Sequence, residues 1–265
     1  LGARLQVFQN ASICDITAQD EFDLSRPGRE KCAFFCISSD QDSTFDFLAS
    51  LFFSFLFIKL VRYADAEGVD GKLPIGVNFV LDEFPNLGVI NDFKKKISTV
   101  RSRNIGISVI FQNIAQLKNR YPNDEYLEIL GNCDTQIALG CTDEVTARFI
   151  SNRTGEVTID VNSQSKQLHA MRMTDYTPEY RETNSVGRRK LMTADEVLRM
   201  PLDEALIILR GQNVFKVKKF DYTRHPESRK LKKCKAAAYI PDWRKEKEDD
   251  SIVQSVEDTI QEKKE

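Results

Sequence analysis

Two acidic residues, Asp82 and Glu83, directly follow the apolar run Val77–Leu81. Such a run predicts a buried strand, and the carboxyl end of a strand in an open α/β sheet faces the ligand crevice. There Asp82 can hold a Mg²⁺ ion that bridges nucleotide phosphates, and Glu83 can take a proton from an attacking water as general base. The same pattern is common at solvated strand ends, so by itself it leaves both interpretations open.

Gln112 and Arg101 strengthen the first interpretation. Gln112 directly follows the next apolar run, Ile107–Phe111, and so lies at the end of the next predicted strand. Arg101 carries a planar guanidinium, which suits the charge of a transferring phosphoryl group. Gln112 could also be a polar residue at a helix start, and Arg101 a cation favoured near a helix C-terminus. The ordered combination favours a phosphoryl-transfer site.

The elements that must position these residues follow from hydrophobic periodicity and turn signals. Strands are predicted at 32–37, 75–81, 107–111, 135–140 and 205–209, with an edge strand at 215–220. Helices are predicted at 43–66, 91–103, 114–120, 125–130, 142–152 and 193–200. Thr142 is the expected N-cap of the fifth helix, and Thr193 with Glu196 has capping-box spacing. This alternation predicts an α/β fold with a mostly parallel sheet flanked by helices.

The chain divides by composition into three parts. Residues 1–30 follow an expected upstream part, residues 31–226 form the α/β domain, and residues 227–265 form a charged tail. Within the domain, residues 157–190 are polar and poor in aliphatic side chains. They are predicted to form a loop or a small insert.

Composition limits the classes of function. The chain has 265 residues, 41% of them hydrophobic and 29% charged, and its net charge is -2. A uniformly basic surface that coats DNA is therefore excluded, and any contact with nucleic acid requires a local patch. With 6 cysteines, 2 histidines and no Cys-x-x-Cys pair, a zinc site is not expected. Cys32 and Cys36 are interpreted as small core residues, and unpaired cysteines fit a reducing cytosol.

The most apolar segment, residues 47–58, is shorter than the roughly 20 residues that span a bilayer. It is interpreted as part of a buried core helix. The chain begins at Leu1 without an initiator Met, so an upstream part is expected.

The order of short motifs resembles the TraG-type coupling proteins of type IV secretion, and most closely those of Gram-positive conjugative elements. The resemblance covers about 40–226. The segments that carry it are 42–45, 81–88, Phe93, 101–103, 112–117, 131–134, 191–196 and 209–211. These coupling proteins are hexameric, membrane-bound ATPases with a RecA-like P-loop core that deliver relaxase-bound DNA to a conjugation channel.

The resemblance implies a role for each candidate residue. Asp82 would be the Mg²⁺-associated acid of the ATP site and Glu83 the catalytic base. Arg101 would reach the ATP of the neighbouring subunit, and Gln112 would sense the phosphate. The implied ligands are ATP and Mg²⁺, and the implied partners are other copies in a ring, the relaxase and relaxosome, DNA and the secretion channel. The implied location is the cytoplasmic face of the cell membrane, with the membrane helices upstream.

One departure from the family pattern stands out. No Gly-x-x-x-x-Gly-Lys-Ser/Thr phosphate loop occurs in these 265 residues. The chain is therefore expected to be a C-terminal fragment whose core is incomplete at its N-terminal side. By itself the fragment is expected to bind ATP poorly and not to hydrolyse it, because the amides and lysine of that loop hold the phosphates.

Two assignments stay open. Lys94, Lys95 and Lys96 could line a pore and meet DNA phosphates, or they could form a solvated helix face. As alternatives to a coupling protein, the chain could be a related DNA pump of the chromosome-partition type, or a non-catalytic remnant that only assembles or binds partners.

Overall fold

A computed structural model describes residues 6–20, 23–38, 46–167 and 179–233. The chain divides into two units, of which the first ends at Lys219 and the second begins at Phe220. The described part of the second unit consists of two short 3₁₀ turns, Tyr222–Arg224 and Pro226–Lys230. Most of the predicted charged tail, including its acidic end, lies outside the described residues.

The first unit combines helices and strands. Its α-helices are α1 (Ala11–Thr17), α2 (Asp46–Glu67), α3 (Phe93–Thr99), α4 (Ile114–Arg120), α5 (Glu125–Gly131), α6 (Glu144–Thr154) and α7 (Ala194–Leu198). Its strands are β1 (Val77–Leu81), β2 (Ile105–Val109), β3 (Thr135–Ala138), β4 (Glu156–Gln167), β5 (Glu179–Lys190), β6 (Glu204–Leu209) and β7 (Phe215–Lys218). The start predicted for α2 lies in 39–45, outside the described residues.

Strands β1 and β2 form a parallel pair joined through α3. Val77 lies opposite Ile105, and Leu81 lies opposite Val109, so the two strands end at the same edge. A 3₁₀ turn, Val100–Arg103, follows α3, and Asn104 then turns the chain into β2 with a left-handed φ of 62°. The register therefore brings the residues after Leu81 and Val109 together.

The remaining described pairings are antiparallel. The second sheet has the order β3-β6-β7, with β7 as the predicted edge strand. The α/β class is confirmed. The prediction of a mostly parallel sheet is not confirmed, because only β1 and β2 run parallel among the described strands. Strand β6 runs antiparallel to β3 because α7 packs on α6 and returns the chain alongside β3. The residues at this contact include Ala147, Val197 and Leu206.

The segment at 157–190, predicted to form a loop or a small insert, contains two paired strands and is not a loop. Strands β4 and β5 form a regular antiparallel hairpin from Glu156↔Lys190 to Gln167↔Glu179. The described side chains of the hairpin are mostly exposed, which explains why its sequence is polar rather than apolar. Its backbone hydrogen bonds, rather than burial, define the element. Residues 168–178 lie outside the described part.

The main core lies between α2 and the β1–β2 pair. The ring of Phe57 stacks on that of Phe79 at 4.2 Å between centroids. Leu60 and Ala64 are fully buried on the same side of α2. These contacts fix the helix against the strand that Asp82 and Glu83 follow, so the core sets the position of the acidic pair.

Helix α2 is covered on one side only. Phe55 and Ile58 are 47% and 38% exposed, so the expectation of a helix surrounded by neighbours is met only in part. By length and composition alone, α2 is also apolar enough to cross a membrane, with a mean hydropathy of 1.7. Its packing on Phe79 is that of a core helix, as predicted for 47–58.

The prediction of a strand at 32–37 is wrong. Residues 31–38 form no regular element, and the side chains of Phe35 and Ile37 are 88% and 74% exposed. A strand requires a hydrogen-bonded partner, and no described strand pairs with this segment. Cys32 and Cys36 are consequently exposed and are not core residues.

Several boundaries also differ. Strand β2 begins at Ile105, two residues before its predicted start, because its register with Val77 includes Ile105 and Gly106. Strand β3 ends at Ala138. Asp143, not Thr142, caps α6, and its carboxylate accepts a hydrogen bond from the amide of Thr146 at 2.8 Å.

Other predictions are confirmed. Helices α4 and α5 match their predicted ranges closely. The capping box is formed as expected: Thr193 accepts from the Glu196 amide at 3.3 Å, and Glu196 accepts from the Thr193 amide at 2.8 Å.

Candidate nucleotide site

Asp82 and Glu83 lie at the carboxyl end of β1, as their sequence predicts. The carboxylate of Asp82 is exposed, and its Oδ1 accepts a hydrogen bond from the Glu83 amide at 3.1 Å. Glu83 has φ 46° and ψ 44°, a left-handed conformation. For a residue with a side chain this conformation costs on the order of 1–2 kcal/mol, and such strain is concentrated at functional sites.

Gln112 meets Glu83 across the two strand ends. Its Nε2 donates a hydrogen bond to Oε1 of Glu83 at 3.0 Å. The other carboxylate oxygen, Oε2, is buried and has no hydrogen-bond partner among the described residues. Leaving a buried polar atom unpaired is costly. With Oε1 held by Gln112, Oε2 keeps unused hydrogen-bonding capacity, which suits an acceptor for the proton of a water molecule.

A short 3₁₀ turn, Phe84–Leu87, holds Glu83 in this conformation. The fully buried ring of Phe84 stacks on Tyr121 at 5.2 Å, and the Phe84 amide donates to the carbonyl oxygen of Ile110 at 2.9 Å. These contacts tie the turn to α4 and to the end of β2. Glu83 is therefore followed by a residue that is held by a buried ring contact and a backbone hydrogen bond.

Two residues at the end of α4 clamp the same turn, and sequence reasoning missed both. The Nε of Arg120 donates to the carbonyl oxygen of Pro85 at 2.6 Å. The hydroxyl of Tyr121 accepts from the amide of Ile90 at 3.2 Å, and burial raises the pKa of Tyr121 to about 12. The sequence signal was limited to the break at Tyr121-Pro122, which marks only the end of a helix.

Arg101 lies at the opposite end of the strand pair. It precedes β2, whose first residue is opposite the first residue of β1, whereas Glu83 and Gln112 follow the strand ends. The Arg101 side chain is 83% exposed and pairs with Asp134 at 2.8 Å. The structure thus unites three of the four predicted site residues, Asp82, Glu83 and Gln112, and separates Arg101 from them.

The three lysines of α3 differ in their surroundings. Lys94 Nζ lies 3.3 Å from carboxylate oxygens of both Glu125 and Glu128, and its hydrogen bond to Glu128 is the main cause that raises its pKa. Lys96 donates to the Asn91 carbonyl oxygen, and burial lowers its pKa. Lys95 is 75% exposed, with Asp92 at 3.7 Å. The trio is not one uniform basic face.

The donor set at the β1 end fits a nucleotide-bound Mg²⁺. Among the described residues, no group of three His, Cys, Asp or Glu side chains has the arrangement of a metal site. Magnesium that arrives with a nucleotide is held by only one or two protein carboxylates together with phosphate oxygens. Asp82 offers one exposed carboxylate, and the adjacent residue Glu83 has a carboxylate oxygen without a partner among the described residues.

Comparison of the sequence with known proteins identifies the family to which this chain belongs. A family model described as type IV secretory system conjugative DNA transfer matches residues 1–250. The VirD4 protein of Rhizobium rhizogenes is 24% identical over 217 residues, which are 82% of this chain and 31% of that protein. A conjugal transfer protein TraG of Escherichia coli is 32% identical over 149 residues, which are 52% of this chain and 22% of that protein.

Among solved structures, the plasmid coupling protein TrwB in complex with ADP and Mg²⁺ is similar, with a TM-score of 0.49 and 15% identity. The alignment covers 69% of this chain and 40% of TrwB. The chain spans 31% or less of the length of the two curated relatives above.

Proposed function

Since this chain belongs to the conjugative DNA-transfer family of type IV secretory systems, we propose that it forms part of an ATP-driven coupling protein. In this proposal the whole protein recruits relaxase-bound DNA and pumps it into a secretion channel from the cytoplasmic face of the membrane. Its partners are the relaxase and relaxosome, DNA, the channel proteins and other copies of itself in a ring, proposed to be a hexamer.

The single observation that carries the proposal is the contact between Glu83 and Gln112 beside Asp82 at the carboxyl end of β1 and β2. Asp82 would hold the Mg²⁺ of a bound nucleotide, and that ion would supply positive charge at the phosphate oxygens. Glu83 orients the attacking water and accepts its proton at Oε2, since Oε1 is already engaged.

Gln112 has two roles in this proposal. It fixes the rotamer of Glu83, and it connects the catalytic carboxylate to the end of a second strand. A change of the phosphate state at this edge can then shift the end of β2 and the helix α4 that follows it. This coupling would let nucleotide hydrolysis move the protein along DNA.

Arg101 supports a ring. It lies at the opposite end of the strand pair from Glu83 and so faces away from the site of its own chain. In a head-to-tail ring, one end of each copy meets the other end of the next. Arg101 would then act on the nucleotide of the neighbouring copy.

The test is Glu83→Gln in the full-length protein that contains this chain. The amide cannot accept the proton, so ATP hydrolysis should fall by about 10²–10⁴-fold, and DNA transfer should stop, whereas nucleotide binding should remain. Glu144→Gln is the matched control, because Glu144 is an exposed glutamate paired with Arg148 on α6. Normal transfer by Glu83→Gln would sink the proposed role of Glu83.

A further inference from the structure

We propose that Arg210 is a second arginine of the ATP site, presented together with Arg101 by Asp134 to the phosphates of a nucleotide bound to the next copy of the chain. Asp134 is then a positioning residue. This inference rests on the proposed function, because it requires a ring in which each copy binds ATP.

One carboxylate holds both arginines. Arg101 Nη1 lies 2.8 Å from Oδ2 of Asp134, and Arg210 Nη1 lies 3.4 Å from Oδ1. The two arginine side chains are nevertheless 83% and 82% exposed. Each guanidinium uses one terminal nitrogen on Asp134, so its other N–H groups stay available. The cluster keeps a net positive charge of one.

The fold creates this meeting point. Asp134 precedes β3 and Arg210 follows β6, and the antiparallel register puts Thr135 opposite Leu209. The Arg210 amide also donates to the carbonyl oxygen of Asp134 at 3.0 Å. Two backbone segments far apart in sequence are therefore fixed side by side, which places Asp134 next to Arg210. Arg101 reaches the same carboxylate from the 3₁₀ turn before β2.

The cluster cannot serve the site of its own chain. Asp134 holds Arg101 before β2, whereas Asp82 follows β1, and the parallel register sets these two positions at opposite ends of the pair. Strand β1 has 5 residues, and at about 3.3 Å per residue it separates the two ends by roughly 16 Å. A nucleotide contact by Arg101 or Arg210 therefore needs a second copy.

The surroundings of Arg101 suit a phosphate. An open groove of about 550 Å³ adjoins it, and its described lining consists of Lys72, Ser98, Thr99, Arg101, Ser102 and Arg103. Of these, Arg101 pairs with Asp134 and Arg103 pairs with Asp65. Two planar guanidinium groups can bind phosphate oxygens with paired hydrogen bonds. The proposed ligand is the phosphate chain of a nucleotide, and DNA phosphates are the competing outcome of the test.

The first experiment measures nucleotide affinity without hydrolysis. In the full-length Glu83→Gln protein, Arg210→Ala should weaken binding of a non-hydrolysable ATP analogue about tenfold, the loss expected for a charge-assisted hydrogen bond. The effect should appear at protein concentrations where rings form and disappear in monomers. Arg199→Ala is the matched control, because Arg199, the C-cap of α7, is 74% exposed and pairs with Asp195 in that helix. Asp134→Asn should behave like Arg210→Ala.

The second experiment tests action between subunits. Arg210→Ala alone should lower turnover by about 10²-fold, the usual cost of one lost donor to developing charge. When Arg210→Ala subunits are mixed with Glu83→Gln subunits, some interfaces combine an intact Glu83 with an intact Arg210 of the neighbour. Hydrolysis should then exceed the sum of the separate proteins. Mixing Glu83→Gln with a Glu83→Gln, Arg210→Ala double variant should give no such rise.

Three results would overturn the inference. They are unchanged analogue affinity in Arg210→Ala rings, loss of the ring itself, which would make Arg210 an assembly contact, and weaker DNA binding with normal nucleotide binding. If any of these three results is found while Glu83→Gln abolishes hydrolysis in the same assays, the role of Arg210 fails but the proposed function stands. If Glu83→Gln hydrolyses ATP normally, the proposed catalytic role fails first.

Discussion

The Nε2 atom of Gln112 donates to Oε1 of Glu83 at 3.0 Å, and this contact joins the ends of two parallel strands. It holds one carboxylate oxygen and leaves the other buried without a partner among the described residues. The contact also fixes a glutamate whose backbone is already strained. In the proposed function of Glu83, catalysis and local stability are therefore opposed.

That opposition can be measured with two substitutions that both remove the carboxylate. We expect Glu83→Gly to be more stable than Glu83→Ala by about 1 kcal/mol, because glycine adopts a φ of 46° without steric cost. At ordinary positions alanine is the more stable of the two. Urea unfolding of both variants provides the comparison, and a more stable alanine variant would argue against the left-handed backbone.

Tyr121 should give the protein an alkaline transition. Its folded pKa, raised by burial to about 12, lies above the ordinary value of 10. The stability that its neutral form contributes is complete below about pH 10 and is lost as the pH rises towards 12. In Tyr121→Phe the Ile90 amide loses its acceptor, so this variant should be less stable at neutral pH by about 1–3 kcal/mol.

The difference in unfolding free energy between the two proteins should therefore shrink between pH 10 and pH 12. Ultraviolet titration of tyrosinate should also show a late component that is absent from Tyr121→Phe. A wild type whose tyrosines all titrate near pH 10 would contradict the buried position of this hydroxyl.

The cap of α6 offers a matched pair of neighbours. Asp143→Ala should destabilise the protein by about 1 kcal/mol, because the amide of Thr146 loses its acceptor. Thr142→Ala should have little effect, since Thr142 is an exposed residue before the cap. Chemical denaturation of the two variants checks this, and a larger loss from Thr142→Ala would restore the cap predicted from sequence.

The lysines of α3 can be ranked for contact with DNA. Lys94→Ala and Lys96→Ala should leave the salt dependence of single-stranded DNA binding unchanged, because both ammonium groups are already engaged. Lys95 is the most exposed of the three, so Lys95→Ala is the variant that can report a contact. One lost phosphate contact would lower the slope of log K against log salt by about 0.7.

Fluorescence anisotropy of the full-length protein over a series of salt concentrations gives these slopes. A reduced slope for Lys94→Ala alone would show that its pairing with Glu125 and Glu128 is broken when DNA binds. Equal slopes for all three variants would favour the solvated helix face.

The sequence by itself located most of the candidate site. An apolar run followed by Asp82 and Glu83, and a second run followed by Gln112, specify two strands and the polar residues at their ends. The position of a strand and its side-chain period are local properties, so the two strands and the residues at their ends could be located without tertiary contacts. The parallel pairing that brings Glu83 to Gln112 could not. The capping box at Thr193 was predictable for the same reason, because both of its hydrogen bonds lie within one turn.

Tertiary structure alone decided which distant segments meet. The segment at 32–37 has the composition of a strand but no described partner, whereas the polar segments at 156–167 and 179–190 pair over their whole length. Likewise, nothing local in the sequence links Arg101, Asp134 and Arg210, which come together only because β3 and β6 run antiparallel beside the start of β2. Strand pairing depends on contacts between residues far apart in the chain, and a local hydrophobic pattern carries no information about the partner or its direction.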